Sequence, residues 1–289
     1  MVISGTMRRI LNILVMASVL AVLCVGRGSA QHTIAVTGGG GFSNARLYPA
    51  QDMIPIWGTY STGISWRYYS MPRFVGCIGI DVELMQRGYS YVPYTFLYKD
   101  NPNYPNKRSM PHYTRKYHSI MVPIVWQPHF YLFKRHLRVY LEAAPTFCYN
   151  FASKFYNNES YTINGTNIAD PVSGKYEFRS ERDNRFSFGL AAGVGFDLLF
   201  GQFEIGVRGR YDFGFSDILR NRNKYYDNSA DMVSKPGENP FSLTPLRSPV
   251  DNLNISLKVG FRIGKAGFKE WEWKRPNFPK NKEVFKFAL

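Results

Sequence analysis

The residues best placed to do chemistry in this 289-residue chain are charges recurring at alternate positions, not nucleophiles or metal ligands. Arg67, Asp81, Glu83, Arg87, Arg138, Glu142, Asp197, Glu204, Arg208, Arg210, Asp212, Lys258 and Arg262 all fall on one side of a two-residue beat. Seven are basic and six acidic. Such a set can neutralise itself by pairing, the arrangement that keeps enclosed ions from a large desolvation cost. The other chemistry open to it is a selective pore, which usually needs an excess of one sign and a wider enclosure.

Other chemistries find little support. The five histidines are His32, His112, His118, His129 and His136; His112 and His118, with Asp100 as a neighbour, do not have metal-ligand spacing. No Ser or Cys sits in a nucleophile elbow, and no His and Ser pair can be assembled. Gly38-Gly39-Gly40-Gly41 lacks the Lys and Ser/Thr of a phosphate loop and has no helical pattern behind it. Relief of crowding in a narrow barrel explains these glycines better. Three Asn-X-Ser/Thr triplets, at Asn158, Asn164 and Asn254, mean nothing without a eukaryotic secretory route. The sequence therefore predicts no enzyme, no cofactor and no metal.

The elements that must hold the charges are extended strands. Phe186, Phe188, Leu190, Ala192, Val194, Phe196 and Leu198 alternate with small or polar residues, as do Phe203 to Phe215 and Leu253 to Ile263. A period of two makes one apolar and one polar face. The runs exceed the usual strand of about 5–6 residues and match the ~9–11 residues that cross a bilayer at a tilt. Eight strands are predicted near 32–46, 54–70, 73–90, 114–127, 136–153, 184–199, 202–219 and 251–264. Short turns fall at Met71-Pro72, Gln127–Arg135 and Phe200-Gly201; 47–53 is also short, and longer connections fall at 91–113, 154–183 and 220–250. This asymmetry is that of an outer-membrane barrel with short periplasmic turns and longer external loops.

Which face is wet separates a membrane barrel from a soluble one. Aromatics sit at strand ends with aliphatics between them, as in Phe203, Ile205, Val207, Tyr211 and Phe213, with Trp66 and Tyr68 closing the second strand. That order places two aromatic girdles. The polar face mixes Gly, Ala and Ser with charges of both signs, which suits a crowded lumen. The fold class is all-β: an eight-stranded antiparallel up-and-down transmembrane β-barrel with an N-terminal signal peptide. Cys77 and Cys148 fall near opposite ends of the polar face, too far apart to bridge, and are expected as free buried thiols.

Residues 1–30 read as that signal peptide: Arg8 and Arg9, the apolar run Ile10–Val25, then Gly28-Ser29-Ala30 as a small-residue cleavage site. Residues 31–264 form the barrel domain, and 265–289 a basic aromatic periplasmic tail. The tail reads either as an amphipathic or docking segment or as a disordered extension. The formal charge of +15 would ordinarily raise nucleic acid as a partner. Export argues against it, leaving anionic lipopolysaccharide, a negatively charged partner surface, or simply solvated charge.

Several segments in order resemble the PorT-type outer-membrane β-barrel family. They are Gly38-Gly39-Gly40-Gly41-Phe42-Ser43-Asn44, Glu83-Leu84-Met85-Gln86-Arg87-Gly88, Ile120-Met121-Val122-Pro123-Ile124, Ala143-Ala144-Pro145, Gly189-Leu190-Ala191-Ala192-Gly193-Val194-Gly195 and Arg210-Tyr211-Asp212-Phe213-Gly214-Phe215-Ser216-Asp217-Ile218. The resemblance covers nearly all of 32–264. It implies an eight-stranded barrel in the outer membrane of a Gram-negative bacterium, and its founding member is tied to type IX secretion. The long loops and the tail depart from the compact family pattern. The expected partners are outer-membrane lipid and an envelope protein reached through the external loops or the tail. The function read from the whole is a non-enzymatic barrel acting through its loops as a binding or assembly component linked to protein secretion; the alternative is a small-solute channel. Tyr91, Tyr94, Phe96, Tyr98 and Tyr104 are the candidate loop contacts, because exposed Tyr-rich segments are enriched at interfaces.

Overall fold

The computed structural model describes residues 31–69, 76–93, 102–103, 106–133, 136–158, 161–163, 166–168, 172–220 and 245–263. Eight long strands dominate: β1 (Gln31–Ala45), β2 (Ile56–Tyr69), β3 (Cys77–Val92), β4 (Tyr113–Gln127), β5 (Leu137–Asn157), β6 (Phe186–Phe200), β7 (Phe203–Gly214) and β8 (Val250–Ile263). Each pairs with its sequence neighbours, and β8 returns to pair antiparallel with β1 from His32↔Ile263 to Ala45↔Val250. The sheet closes on itself and leaves no strand edge along the barrel wall. Residues 32–263 make one compact unit. The proposed signal peptide, the Met71-Pro72 turn and the tail fall outside the described residues.

The wall is inside out by the standard of a soluble barrel. Val194 is 56% exposed, Ile255 61% and Leu257 63%, whereas Asp197 and Glu204 are fully buried. Outward apolar residues fit contact with hydrocarbon, and each strand keeps its backbone groups paired with its neighbours, as a bilayer crossing requires. Aromatic pairs mark both rims. Phe42–Trp57 and Tyr149–Phe186 lie toward the long connections, and His32–Trp66 and Phe203–Phe261 lie at the opposite end. Among the described residues no helix is long and apolar enough to cross a membrane; the strands do the crossing.

Four details depart from the periodic reading. The stretch expected as a turn at 127–135 contains another strand, His129–Leu132, which pairs with Leu137–Tyr140. Pro128 interrupts β4 because it has no N–H, but its carbonyl still accepts from the Leu141 amide and carries the pairing past it. The reversal itself comes at Phe133, which has a positive φ of 51°. The register slips between His118 and Ser119, where Phe151 is the extra residue opposite them. This bulge lets β5 run to Asn157, beyond the expected 153, with its inward and outward positions exchanged above the slip. At the same outer end β7 stops at Gly214 rather than 219, because Ile218 and Leu219 turn into the barrel mouth and are buried there. Lastly, Asp52–Ile54 pairs with the end of β3 inside the segment expected to be a plain connection.

Candidate functional site: the lumen and its outer mouth

The lumen is built from rows in which a charge faces a small residue on the next strand. In the lowest row, Arg138 of β5 opposes Asp197 of β6, Asp197 opposes Gly206 of β7, and Gly206 opposes Lys258 of β8. Gly206 leaves the gap through which Lys258 reaches Asp197; a Cβ there would stand 2.0 Å from Asp197 Oδ1. Arg138 lies 2.5 Å from Asp197 and 2.7 Å from Glu204, and Lys258 lies 2.7 Å and 3.1 Å from the same two. Two cations and two carboxylates thus close a neutral ring. The Tyr69 ring lies 4.7 Å from the Arg138 guanidinium, and the Tyr140 ring 5.3 Å from the Lys258 ammonium.

Above it lies a second cluster that crosses the barrel. β3 and β7 are four strands apart in a ring of eight, on opposite walls. Arg208 of β7 nevertheless reaches Glu83 at 2.7 Å and Asp81 at 3.0 Å, both on β3. Arg210 makes a close ion pair with Glu83 and stands 3.5 Å from Glu142 and 3.2 Å from Asp212. Arg67 pairs closely with Asp81, lies 3.8 Å from Glu142, and donates from Nε to Gln127. Small residues again face these long ones: Gly63 opposes Glu83, Gly79 opposes Arg67, Gly195 opposes Arg208 and Ser65 opposes Asp81. Side chains meeting from opposite walls fill the cross-section.

Two of the expected lumen charges sit differently. Arg87 is buried, but among the described residues it makes no ion pair; it donates to Asn150 and Ser187 instead. Asp81, Glu83 and Glu142 are taken up by Arg67, Arg208 and Arg210, and Asp212, which lines the same small cavity as Arg87, is paired with Arg210. Arg262 has the inward phase but lies at the periplasmic rim, where it is half-buried and donates to the Gly201 carbonyl. Among the described residues it makes no ion pair with the acids of the rows. Cys77 and Cys148 are buried free thiols. Among the described residues no group of His, Cys, Asp and Glu is arranged to hold a metal ion.

The outer mouth holds a site that the strand pattern does not announce. Arg115 of β4 is fully buried, pairs with Asp183 at 3.0 Å and donates to Ser153. Its guanidinium lies 3.3 Å from the Tyr176 ring centroid and 4.6 Å from that of Tyr117. Asp183 also accepts from the Tyr176 hydroxyl and the Arg179 amide, and Arg182 lies 3.4 Å away. Burial pushes the Tyr176 phenol well above its usual value, so it remains a donor to that carboxylate. Around this knot pack Tyr89, Tyr91, Tyr113, Ile218, Leu219 and Val250. The segment through Tyr176–Asp183 therefore folds back and seats in the mouth. Arg115 shares the inward phase of Tyr113, Tyr117 and Ser119, and that phase was the available signal. It was hidden because its neighbours on that face are aromatic.

Tyr91, expected as an exposed loop contact, is a member of this buried cluster at the end of β3, packed against Tyr89 and Tyr113. The strand runs farther than expected and keeps Tyr91 on its inner face. Tyr94, Phe96, Tyr98 and Tyr104 lie outside the described residues.

A family model described as "Outer membrane protein beta-barrel domain" matches residues 29–220. No curated protein matches the chain. Among solved structures, the chain is similar to the N-terminal beta-barrel domain of Pseudomonas aeruginosa OprF, at 10% identity over 81% of this chain and 97% of that one, with a TM-score of 0.32. It is similar to Ail, the attachment invasion locus protein of Yersinia pestis, at 11% identity over 81% and 99%, with a TM-score of 0.34. Neisserial surface protein A gives 11% identity over 81% and 98%, with a TM-score of 0.33.

Proposed function

Because the chain belongs to the outer membrane protein beta-barrel domain family, we propose that it is an outer-membrane barrel with a closed lumen that works through its external loops as a binding or assembly component, without catalysis. The observation that carries this reading is the pair of blocks along one axis: charges meeting from opposite walls, and the Arg115–Asp183 knot seated in the mouth above them. A filled interior leaves the outer surface as the place to meet a partner. Tyr94, Phe96, Tyr98 and Tyr104 are the proposed contacts, and an envelope protein the proposed partner. A place in protein secretion is the finer reading; it rests on the resemblance to PorT-type barrels, whereas the family match is to the broader group. Cross-linking in intact cells, followed by identification of what travels with the barrel, tests the proposal. A defined envelope partner lost when residues 94–105 are replaced by a Gly/Ser stretch is the expected result. Capture unaffected by that replacement would overturn the role of this loop.

A second reading, a small-solute channel, is favoured by a specific feature of the lumen. Asp212, Asn252 and Asn254 carry buried oxygens without hydrogen-bond partners among the described residues, and a cavity of about 10 Å³ lies beside Arg87, Asp212 and Asn252. Arg87, Thr146, Ser187, Asp212 and Asn252 face this space from among Met, Phe and Val side chains, and it is about right for one water molecule. Planar-bilayer recording separates the readings. The closed barrel is expected to show no regular single-channel steps, and Glu83→Ala with Glu204→Ala to destabilise it by stranding arginines. Regular conductance whose ion selectivity changes in that double variant would establish the channel instead.

A further inference from the structure

On the outer wall three lysines stand directly opposite one another across three neighbouring strands. Lys116 of β4 is in register with Lys154 of β5, and Lys154 is in register with Lys175 of the short strand Val172–Lys175. Directly opposed residues share a face, and this face points away from the lumen: Lys154 and Lys175 are exposed and Lys116 half-buried. Like charges directly opposite each other destabilise a sheet. Among the described residues no carboxylate pairs with any of the three. Among the described residues the row is therefore a cationic strip without a paired carboxylate, about 10 Å wide, two strand spacings.

Its height on the wall matters. Two residues below Lys116, His118 accepts or donates a hydrogen bond with the Tyr60 hydroxyl and lies 6.3 Å from the Phe151 ring, at the outer aromatic rim. Two residues of strand are roughly 7 Å, which puts the lysines in the headgroup layer, about 5–8 Å deep on each side of the hydrocarbon. Directly beneath, on the same strands and their neighbour β6, lies an outward groove of about 420 Å³ lined by Ile120, Val122, Phe147, Tyr149, Phe186 and Phe188. The bulge at Phe151 links the two features. It resets the phase of β5 so that Lys154 above and Tyr149 below both face outward.

We infer that this face is a binding site for a phosphorylated, acylated lipid of the outer leaflet, its anionic headgroup on the lysine row and an acyl chain in the groove. Charge complementarity selects the headgroup, and the apolar walls select the chain. Three cations across the row suit a headgroup that carries more than one negative group.

The test uses the full-length mature protein in phosphatidylcholine nanodiscs, doped with bisphosphorylated lipid A or its dephosphorylated form and read by native mass spectrometry. Heat-dependent gel migration checks that each variant is folded. Wild-type protein is expected to retain the bisphosphorylated lipid and release the dephosphorylated one. K116Q, K154Q and K175Q together should weaken retention about a hundredfold, at roughly fivefold per lysine near a membrane surface. F147A with F188A should also weaken it, and inorganic phosphate in excess should fail to displace it. Equal retention by the triple lysine variant, or equal retention of the dephosphorylated lipid, would overturn the headgroup site. Displacement by inorganic phosphate, or no effect of the groove variant, would reduce it to a simple anion site and overturn the lipid assignment.

Discussion

At the scale of single residues, the most consequential positions are the glycines that face charges. Gly206 and Gly260 oppose Asp197 and Glu204 closely enough that an added Cβ would meet the carboxyl side chains, at 2.0 Å and 2.7 Å respectively. Gly206→Ala is expected to lower stability by about 1–3 kcal/mol through overpacking, read as a lower urea midpoint for the detergent-folded barrel. Gly209→Ala serves as the control, since its nearest neighbour would be 3.9 Å away. The Asp183 carboxylate poses the converse case. It answers Arg115, Arg182 and Tyr176 at once, so Asp183→Ala strands buried cations and should cost about 3–5 kcal/mol. Enhanced proteolysis of the 172–185 segment would accompany that loss; an unchanged midpoint and cleavage pattern would contradict the plug. The inward phase of the lumen charges was legible from alternation alone. Their partners were not, because Arg208 meets Asp81 and Glu83 across more than a hundred residues of chain.

At the scale of elements, the wall is defined by which face meets lipid. Val194→Arg places a cation on the outward face of β6 and should cost about 2–4 kcal/mol near the bilayer midplane, blocking assembly in liposomes. Ser173→Arg, exposed on the short strand beside Lys154, lies beyond the rim and should cost about 0–1 kcal/mol. If both variants fold with the same yield, the placement of this outward face of β6 in hydrocarbon fails. The eight strands could be read from their period, and most of their ends fell within a few residues. The misses have local causes. Pro128 looked like a stop but only skips one donor, and the bulge at Phe151 is invisible to a strict two-residue count. Leu219 returns to the apolar phase of β7 after Asp217 and Ile218 break it, and a buried mouth lay within reach and drew Ile218 and Leu219 out of the strand.

At the scale of the whole molecule, the chain is a closed antiparallel barrel of the bacterial outer membrane with polar contents and an apolar exterior. Fractionated cells should hold it in the outer membrane, and the unboiled form should migrate differently on a gel from the boiled form. Recovery in the soluble periplasmic fraction would contradict this placement. The same closure makes stability a collective property. Each lumen cluster draws on several strands, so removing one strand's charges should lower the unfolding midpoint without producing a partly folded species.

The sequence alone determined that the chain forms long two-faced strands, how many there are, and that their polar face carries near-balanced charge. These follow from periodicity and composition, which act locally along the chain. Only the tertiary structure decided which charges meet, that Arg87 and Arg262 stand apart from the rest, that Tyr91 faces inward, and that a loop fills the mouth. Such pairings depend on closure, which brings β7 to face β3 and sets Lys116, Lys154 and Lys175 in one line. No local pattern encodes a register between strands that far apart, because it is the summed fit of the whole ring that selects it.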